Sequence, residues 1–482
     1  MSATPVIAIL DTGKTNKKLF LFDEHYKIVW EQAISFSETT DEEGDPCEDL
    51  AQLTSWVQQS FRELGRLKDF SIRAINFSAY GASLVHVGAD GQPVAPLYNY
   101  LKPYPDALKK KFYDTYGGEV TFSMITASPV LGSLNSGMQL YRIKEEQPEL
   151  FAKINCSLHL PQYLSFLLTG EKYADITSIG CHTNLWNFSQ DHYHEWVYRE
   201  GITAKLAPLA SSSNVIAVPR STIASQGLLE ASHASASGLA GSAAPGQPPP
   251  LLAGIGLHDS SAAMIPYLES FQEPFVLIST GTWCISMNPF NTTQLTVAEL
   301  QRDCLCYMSY QGQPVKASRL FAGYEHEQQV RRLGAHFNKA TEYATTISFD
   351  PDIVSFLRLR SQGQGLAAVD LPVTASVFSQ RALDSFDTYE QAYHQLLLDI
   401  MAQQIASTGL VLAGTVVKRI FVDGGFGKNQ VYMHLLAEAF PHIEVFAASI
   451  PQATAMGAAL AIHSHWNTRS LPGDIIELKY YK

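Results

Sequence analysis

The sequence predicts an α/β protein of two large domains with a cleft between them. Its 482 residues are too many for one ordinary hydrophobic core, so two domains are the natural expectation. Hydrophobic residues make up 46% and charged residues 17% of the chain, which is the composition of a globular protein. Short apolar runs also alternate with amphipathic stretches, as they do in α/β folds.

The first domain opens with the element order of an actin-like, ribonuclease-H-like half. Three strands, a helix and a further strand favour that fold, and helical segments follow within residues 100–210. The predicted strands are Val6–Leu10, Leu19–Phe22, Ile28–Gln32 and Ile72–Ser78, and the predicted helices are Leu50–Leu64, Ser136–Glu146 and Leu160–Leu168.

A change of composition marks the predicted domain boundary. Residues 211–250 are rich in Ser, Ala, Gly and Pro and end in three consecutive prolines, which disfavours a regular core element. We therefore predict a first domain at 1–250, with an exposed low-complexity loop at 221–250, and a second domain at 251–482.

The second domain contains a strand, a glycine-rich turn and a helix in succession. Strand Arg419–Val422 runs into the turn Asp423–Asn429, and helix Gln430–Phe440 follows. Glycines in such a turn allow phosphates or adenosine to approach the backbone closely, which predicts a nucleotide site. The other predicted elements are strands Leu251–Ile255 and Ile443–Phe446 and helices Tyr389–Thr408 and Ala453–His463.

Charge and cysteine usage narrow the classes of partner. The formal net charge is −12 and the longest basic run is Lys109–Lys111, so we expect no nucleic-acid or membrane partner.

The N-terminus lacks the features of a signal peptide and no window supplies roughly 18 uninterrupted apolar residues, which favours a cytoplasmic location. The six cysteines include no Cys-x-x-Cys pair, so thiols are expected and a zinc site is not. The expected partner is a small molecule, and a homodimer is left open.

Two motifs suit phosphoryl transfer to a hydroxyl. Gly256–Ser261 offers a carboxylate in a loop of small residues, and Ser279–Trp283 offers a hydroxyl-bearing turn after the apolar run Phe275–Ile278. In that chemistry one acidic side chain accepts the proton while backbone N–H groups hold the phosphates.

Together with these motifs, the segments Asp11–Asn16 and Asp423–Asn429 give the chain a resemblance to the FGGY carbohydrate kinases, within the sugar kinase, Hsp70 and actin superfamily. The resemblance implies two actin-like domains, with the sugar mainly on the first and ATP with Mg²⁺ mainly on the second. His258-Asp259 and the segment Leu134–Leu140 resemble rhamnulokinases and fuculokinases. A 6-deoxyketohexose such as L-rhamnulose or L-fuculose is therefore the expected substrate.

Other functions stay open at this point. A pentulose such as xylulose or ribulose, or a polyol, is an alternative acceptor. A non-catalytic ATP- or sugar-binding regulatory protein is an alternative of another class. Lys14 after Gly13 departs from the usual first phosphate loop, and the segment Pro96–Lys102 lacks the aromatic-Asp-x-Arg pattern of many relatives.

We assign Asp259 as the catalytic base, although an Asp that caps the following helix would look identical and the two roles can coexist. His258 would bind a sugar hydroxyl or steady Asp259, unless it is a packing residue. Asp11 would hold Mg²⁺ near the phosphates, unless it only starts a turn. Gly81 would bring the backbone to the sugar and Tyr80 would stack on it, unless both only form a turn.

The nucleotide-binding residues follow from the loops and from one helix. The glycines could equally serve tight turns alone, and Lys14 and Gln328 could be solvated side chains. The predicted set is Thr12, Gly13, Lys14, Thr15, Gly281, Thr282, Gln328, Gly424, Gly425 and Asn429.

Overall fold

The computed structural model describes residues 3–219, 222–223, 250–361, 376–450 and 452–482. The loop predicted at 221–250 lies outside the described residues, except for Thr222, Ile223 and Pro250. The chain divides into two compact units. The first unit comprises Met1–Ser270, Tyr307–Pro314 and Pro451–Ile475, and the second unit comprises Phe271–Cys306, Val315–Ile450 and Ile476–Lys482.

The described chain contains both strands and helices. The strands are β1 Thr4–Thr12, β2 Asn16–Asp23, β3 Ile28–Ser35, β4 Thr39–Thr40, β5 Pro46–Cys47, β6 Phe70–Ala79, β7 Leu84–Val87, β8 Cys156–His159, β9 Ala174–Asp175, β10 Trp186–Asn187, β11 His192–Tyr193, β12 Leu209–Ala210, β13 Val215–Ala217, β14 Leu252–Gly254, β15 Leu257–His258, β16 Phe275–Thr280, β17 Cys284–Asn288, β18 Cys304–Met308, β19 Pro314–Leu320, β20 Arg419–Gly424, β21 Glu444–Ser449 and β22 Glu477–Tyr481. The helices are α1 Leu50–Leu64, α2 Asp106–Thr115, α3 Glu119–Thr126, α4 Ser136–Glu146, α5 Pro148–Lys153, α6 Leu160–Thr169, α7 Ile176–Ile179, α8 Glu195–Arg199, α9 Asp259–Ser270, α10 Val297–Leu300, α11 Ala322–Phe337, α12 Pro351–Ser361, α13 Tyr389–Leu412, α14 Gln430–Ala439, α15 Ala453–Ala461 and α16 His463–Trp466.

The main sheet of the first unit has the strand order β13-β14-β6-β1-β2-β3, and β15 also pairs with β6. The hairpins β1–β2 and β2–β3 are antiparallel, whereas β1, β14 and β15 each run parallel to β6. Three consecutive antiparallel strands followed by parallel ones form the ribonuclease-H-like half that the sequence predicts.

The second unit repeats this plan. Its sheet has the order β18-β19-β17-β16-β20-β21-β22, with antiparallel pairing of β16 to β17 and of β17 to β19. Strands β16, β20 and β21 are mutually parallel in sequence order across the sheet. The predicted fold class, an α/β protein of two actin-like domains, is therefore confirmed.

Apolar periodicity explains why the predicted helices form where they do. In α1, the buried side chains Leu53, Val57, Phe61 and Leu64 recur at helical spacing, and the Asp49 carboxylate caps the first turn by accepting the Gln52 N–H. Helices α1 and α4 have the predicted bounds, and the other predicted elements agree within a few residues.

The division between the units differs from the predicted boundary at 250. Strand β14, just after that boundary, pairs with β6 and thereby belongs to the sheet of the first unit. Helix α9 also belongs to the first unit, which ends its main segment at Ser270. The apolar run that begins at Leu251 thus joins the first sheet between β13 and β6.

One described helix, α13, is long and apolar enough to cross a membrane by length and composition. Of its most apolar window, 67% is buried inside the structure. Its buried residues include Leu396, Leu397 and Ile400, which lie at 2% exposure or less. Such burial is typical of a core helix, which passes the same test.

Candidate active site

Three parallel strands of the first unit end side by side, and their carboxyl ends hold the predicted catalytic residues. Asp11 near the end of β1 lies opposite Ser78 of β6, and Leu257 of β15 lies opposite the same Ser78 from the other side. His258 is next to Leu257 and Asp259 starts α9. Because ligands bind at the carboxyl ends of parallel strands, this edge of the sheet is the candidate active site.

Asp11 is a half-buried carboxylate with one close hydrogen-bond partner. Ser78 Oγ donates a hydrogen bond of 2.6 Å to Asp11 Oδ1. The pKa of Asp11 is raised to about 6: burial is the largest cause, the hydrogen bond from Ser78 opposes it, and the negative charge of Asp259 adds to the rise while Lys18 opposes it. The charge of Asp259 thus disfavours ionisation of Asp11.

The Asp11 carboxylate is the predicted ligand of a magnesium ion, and its chemistry suits that ion. Mg²⁺ takes oxygen ligands and is commonly held by one or two carboxylates together with substrate phosphates. Asp11 loses hydration on burial and feels a second negative charge from Asp259, so a cation beside it would stabilise its ionised form. Among the described residues, no group of three or more His, Cys, Asp or Glu side chains is arranged as a metal site.

Asp259 combines an exposed carboxylate with a fixed position. Its side chain is 32% exposed, and its Oδ1 accepts the backbone N–H of Ser260 at 2.6 Å. This contact is to the N–H of the next residue, whereas a helix cap accepts from the second or third residue after it. The second carboxylate oxygen is left for chemistry, which is what a general base needs.

His258 is packed inside the first unit. It is 4% exposed, its Nε2 lies 3.2 Å from Cys181 Sγ and 3.2 Å from Asp259 Oδ1, and its Nδ1 lies 3.4 Å from Ser261 Oγ. Burial lowers the pKa of His258, while Asp259 opposes that shift, so the ring is neutral near pH 7. These contacts support the alternative in which His258 steadies Asp259.

Gly81 provides room for the His258 ring. A Cβ atom at position 81 would lie 2.8 Å from both Cδ2 and Nε2 of His258, which is closer than Cβ contacts come in proteins. Gly81 therefore allows the turn after β6 to pack directly on His258. This packing accounts for the glycine without the approach of its backbone to a sugar.

Tyr80 has its hydroxyl engaged inside the first unit. The ring is 7% exposed, and the hydroxyl donates a hydrogen bond of 2.5 Å to Glu48 Oε2. Glu48 also pairs with the buried Lys17 ammonium at 2.5 Å. Little of the ring is accessible, so the predicted stacking of Tyr80 on a sugar has little surface available to it.

The first predicted phosphate loop is a tight turn between β1 and β2. The Gly13 N–H donates to Asn16 O at 2.9 Å, while Thr12 is buried and Thr15 is exposed. Lys14 pairs with Glu38 at 2.8 Å, and its ammonium lies over the rings of Tyr80 and Tyr100. The Lys14 charge is thus balanced by a carboxylate.

The second unit places its two predicted loops at the ends of neighbouring parallel strands. Thr280 of β16 lies opposite Gly424 of β20, and Thr280 Oγ1 both donates to Asp423 O and accepts the Phe426 N–H. Gly424 has a φ of +90°, and a Cβ atom there would lie 1.9 Å from Thr280 O. The close pairing of the two loops therefore requires a glycine at position 424.

Gly281, Thr282, Gly424 and Gly425 are solvent-exposed at this edge of the second unit. The Gly281 N–H donates to Trp283 O at 2.8 Å and the Gly425 N–H donates to Thr280 O at 3.2 Å. These two donors therefore stabilise the turns. The backbone of these residues and the Thr282 side chain are thus accessible at this edge of the second unit.

Asn429 and Gln328 differ in how they are held. The Asn429 side chain caps α14 by accepting the Tyr432 N–H, and it donates to the Tyr393 hydroxyl at 2.8 Å. The oxygen and the nitrogen of the Asn429 side-chain amide are therefore both engaged in structural hydrogen bonds. Gln328 is half-buried on α11.

A small cavity lies in the first unit. Its lining residues include Asn99, Lys102 and Gln139. Gln139 Nε2 donates to Ala82 O and Ser133 O, whereas the buried Oε1 has no hydrogen-bond partner in the described chain. Such an acceptor is suited to a ligand hydroxyl.

Sequence reasoning missed three residues that contact the predicted ones, namely Ser78, Cys181 and Ser261. Ser78 could have been found, because it ends the predicted strand Ile72–Ser78 and parallel strands meet at that edge. Cys181 offers no local signal, since its contact with His258 joins segments 77 residues apart.

Comparisons with known proteins agree with this architecture. The sequence profile of the FGGY family of carbohydrate kinases, N-terminal domain, matches residues 6–238, and that of the carbohydrate kinase FGGY C-terminal domain matches residues 272–355. Together the two matches span more than half of the chain.

Curated relatives match over shorter segments. A rhamnulokinase of Mannheimia succiniciproducens is 25% identical over 194 residues, which are 39% of this chain and 39% of the relative. An L-fuculokinase of Salmonella typhi is 25% identical over 42% of this chain and 43% of the relative, and a probable L-xylulose kinase of Pasteurella multocida is 26% identical over 43% and 44%. The chain thus matches less than half the length of each of these relatives.

Solved structures share the fold along nearly the whole chain. A carbohydrate kinase from Novosphingobium aromaticivorans has a TM-score of 0.77 at 22% identity and covers 99% of this chain and 94% of its own. A xylulose kinase from Lactobacillus acidophilus has a TM-score of 0.75 at 16% identity, with 99% and 93% covered. With both family domains matched in order, the chain belongs to the FGGY family of carbohydrate kinases.

Proposed function

We propose that the protein transfers the γ-phosphoryl group of ATP to a primary hydroxyl of a ketose sugar. The observation that carries this proposal is the position of Asp259 at the carboxyl ends of β1, β6 and β15, with one carboxylate oxygen fixed by Ser260 and the side chain 32% exposed. Membership of a carbohydrate kinase family supports it.

In the proposed reaction, Asp259 acts as the general base. Its carboxylate accepts the proton of the sugar hydroxyl, the sugar oxygen forms a bond to the γ-phosphorus, and the bond from that phosphorus to the bridging oxygen of ADP breaks. ADP leaves with that oxygen. Most of the rate acceleration in such transfers comes from positioning and electrostatics.

Asp11 is the proposed magnesium ligand. A bound Mg²⁺ would neutralise the charge of the phosphates. Asp11 would supply a carboxylate near the end of β1, where the 2.6 Å hydrogen bond from Ser78 fixes its orientation. Thr12, Gly13, Lys14 and Thr15 would border the phosphates from the first unit.

The second unit is the proposed binding site of the nucleotide. Thr282 and Gly281 would meet the phosphates, and Gly424 and Gly425 would border the adenosine. Both pairs are exposed at the ends of neighbouring parallel strands, which supports this assignment. Asn429 would contribute by holding the start of α14, and Gln328 would reach the nucleotide from α11.

The proposed substrate is a 6-deoxyketohexose such as L-rhamnulose or L-fuculose. The rhamnulokinase and L-fuculokinase among the relatives, and the His258-Asp259 pair, support this choice. The unpartnered Gln139 Oε1 beside the cavity would accept a sugar hydroxyl. A pentulose is the second candidate, supported by the relative described as a probable L-xylulose kinase.

A cytoplasmic location remains part of the proposal. All six cysteines lie within the described residues as buried thiols without disulfides, which suits a reducing compartment.

The test is MgATP-dependent ADP release with L-rhamnulose, L-fuculose, L-xylulose, D-xylulose, D-ribulose, glycerol and a blank without sugar. We expect one 6-deoxyketohexose to give the highest kcat/KM and the blank to be silent. A preference for a pentulose would change the proposed substrate but leave the proposed kinase activity intact. Nucleotide binding without ADP release for every sugar would favour the non-catalytic regulatory alternative.

A further inference from the structure

A buried ion pair lies beside the first predicted phosphate loop. Lys17 of β2 is 1% exposed, and its Nζ lies 2.5 Å from Oε1 of Glu48, a residue that is 5% exposed. The other oxygen of this carboxylate accepts the hydrogen bond from the Tyr80 hydroxyl. Because the pair is closed to solvent, a phosphate group outside the first unit would not contact the Lys17 ammonium directly.

Lys17 also contacts the backbone of that loop. Its Nζ donates a hydrogen bond of 3.1 Å to the carbonyl oxygen of Lys14, which lies in the turn between β1 and β2. The bond from the Gly13 N–H to Asn16 O closes the same turn. The buried ammonium therefore fixes the direction in which the Lys14 carbonyl group points.

The direction of this carbonyl group sets the direction of the next amide. The peptide between Lys14 and Thr15 is trans, and in a planar trans peptide the C=O and N–H bonds point in opposite directions. Because Lys14 O points toward the buried Lys17, the Thr15 N–H points away from the ion pair. Thr15 is exposed, and its N–H has no hydrogen-bond partner within the described residues.

An exposed and unpaired N–H group at this turn suits a phosphate oxygen. Backbone N–H groups in turns bind anions, and they stabilise charge best when their direction is fixed before the ligand arrives. Lys17 supplies that fixed direction from inside the first unit. Its own charge is balanced by Glu48, so its contribution is the orientation of the peptide rather than attraction of the anion.

We propose that Lys17 is a positioning residue that holds the Lys14–Thr15 peptide so that the Thr15 N–H is presented to a phosphate oxygen of the nucleotide. This inference rests on the proposed function for the identity of the anion. The fixed peptide itself is a property of the first unit and can be observed without a nucleotide.

The variants are chosen so that the protein still folds. Lys17→Met alone would leave the Glu48 carboxylate buried without its partner, which destabilises proteins strongly. The double variant Lys17→Met/Glu48→Gln removes both charges, and the new amide oxygen can still accept from the Tyr80 hydroxyl. Lys316→Met/Glu299→Gln is the matched control, because it removes an ion pair of a buried lysine, 2.6 Å long, in the second unit. Thermal melting of both double variants measures the folded fraction.

The first arm observes the loop without a ligand. In protein labelled with ¹⁵N-threonine, the Thr15 amide signal is assigned by its loss in Thr15→Ser. We expect this amide to exchange rapidly with water in the native protein, and its signal to move in Lys17→Met/Glu48→Gln but not in the control variant. A Thr15 amide protected from exchange would overturn the proposal, as would a signal that stays in place when the ammonium is removed.

The second arm compares ATP with adenosine, which lacks the phosphates, by calorimetric titration. In Lys17→Met/Glu48→Gln we expect the Kd for ATP to rise about tenfold and the Kd for adenosine to stay within about twofold, because a hydrogen bond to a charged phosphate is lost. The control variant should bind both ligands as the native protein does. Native ATP affinity in the folded double variant would overturn the phosphate role, as would equal losses of affinity for ATP and adenosine.

Failure of the proposed function has a different signature. If the native protein neither binds ATP nor phosphorylates a sugar, the kinase assignment falls, while the Thr15 signal of the first arm still decides whether Lys17 holds the loop.

Discussion

Asp11 and Ser78 lie opposite each other in the parallel pair of β1 and β6, and the Ser78 hydroxyl donates a 2.6 Å hydrogen bond to the Asp11 carboxylate. Burial raises the pKa of Asp11 to about 6, and the hydrogen bond from Ser78 opposes that rise. Removing the donor in Ser78→Ala should therefore raise the Asp11 pKa above about 6. A ¹³C NMR titration of the Asp carboxyl signals, assigned with Asp11→Asn, measures it.

Asp259 raises the pKa of Asp11, whereas the hydrogen bond from Ser78 lowers it. Its negative charge raises the pKa of Asp11, so Asp259→Asn should lower it. Glu63→Gln, at a half-buried position on α1, is the matched control and should leave the Asp11 signal unchanged. An Asp11 pKa that is the same in Asp259→Asn and in the native protein would contradict the closeness of the two carboxylates.

Asp11 should set the magnesium requirement. Asp11→Asn removes a charged oxygen ligand, so we expect the Mg²⁺ concentration for half-maximal activity to rise at least about tenfold, and Asp11→Glu to recover part of it. Activity at graded Mg²⁺ concentrations and saturating ATP measures this. Asp23→Asn, at the other end of the β hairpin, should behave as the native protein does. An unaltered requirement in Asp11→Asn would exclude Asp11 as the ligand.

Gly81 should tolerate no side chain. In Gly81→Ala the new methyl group would lie 2.8 Å from the His258 ring, so the ring or the turn after β6 must shift. We expect at least about a tenfold loss of kcat with a folded protein, because the shift displaces the neighbour of Asp259. Gly170→Ala, where a Cβ atom meets nothing within 4 Å, is a control for general substitution, although its positive φ costs some stability. A native kcat in Gly81→Ala would contradict this packing.

His86 should make the stability of the first unit fall at acidic pH. It is fully buried beside Ser157, and burial lowers its pKa to about 4. Because the unfolded chain takes up a proton near pH 6.5 and the folded chain only near 4, stability falls as pH drops through this window. Between pH 7.5 and 5 this amounts to about 2 kcal/mol.

The comparison with His86→Asn isolates this contribution. Burial raises the pKa values of Asp11 and Asp175 to about 6, so these groups favour the folded state as pH falls and oppose the histidine in the native protein. Urea unfolding at pH 7.5 and 5 should show that the native protein loses about 2 kcal/mol more than His86→Asn over this interval. Equal losses would mean that His86 is accessible to protons in the folded state.

Local patterns were sufficient to predict much of the fold. The helices at Leu50–Leu64 and Ser136–Glu146 follow from apolar spacing, and strands β1 and β20 follow from apolar runs before polar turns. The predicted boundary at 250 differs from the structure because β14 finds its partner β6 far earlier in the chain. Nothing local to Leu252–Gly254 indicates which sheet it will join.

In the candidate site, too, local sequence predicts strand ends but not contacts between distant segments. The positions of Asp11, His258 and Asp259 at one edge could be predicted from strand ends, since each motif follows an apolar strand. The engagement of the Tyr80 hydroxyl by Glu48 and of Lys14 by Glu38 could not, because each pair joins segments brought together only by folding. Side-chain partners of this kind depend on register and packing rather than on the neighbouring sequence.

The most direct test of the central claim is ADP release by Asp259→Asn with the preferred sugar, at saturating MgATP, beside measured affinities for sugar and nucleotide. Removing the base should lower kcat by about 10²- to 10⁴-fold, while the affinity for ATP stays within about threefold and the protein stays folded. A kcat close to the native value would contradict the assignment of Asp259 as the base that accepts the proton of the sugar.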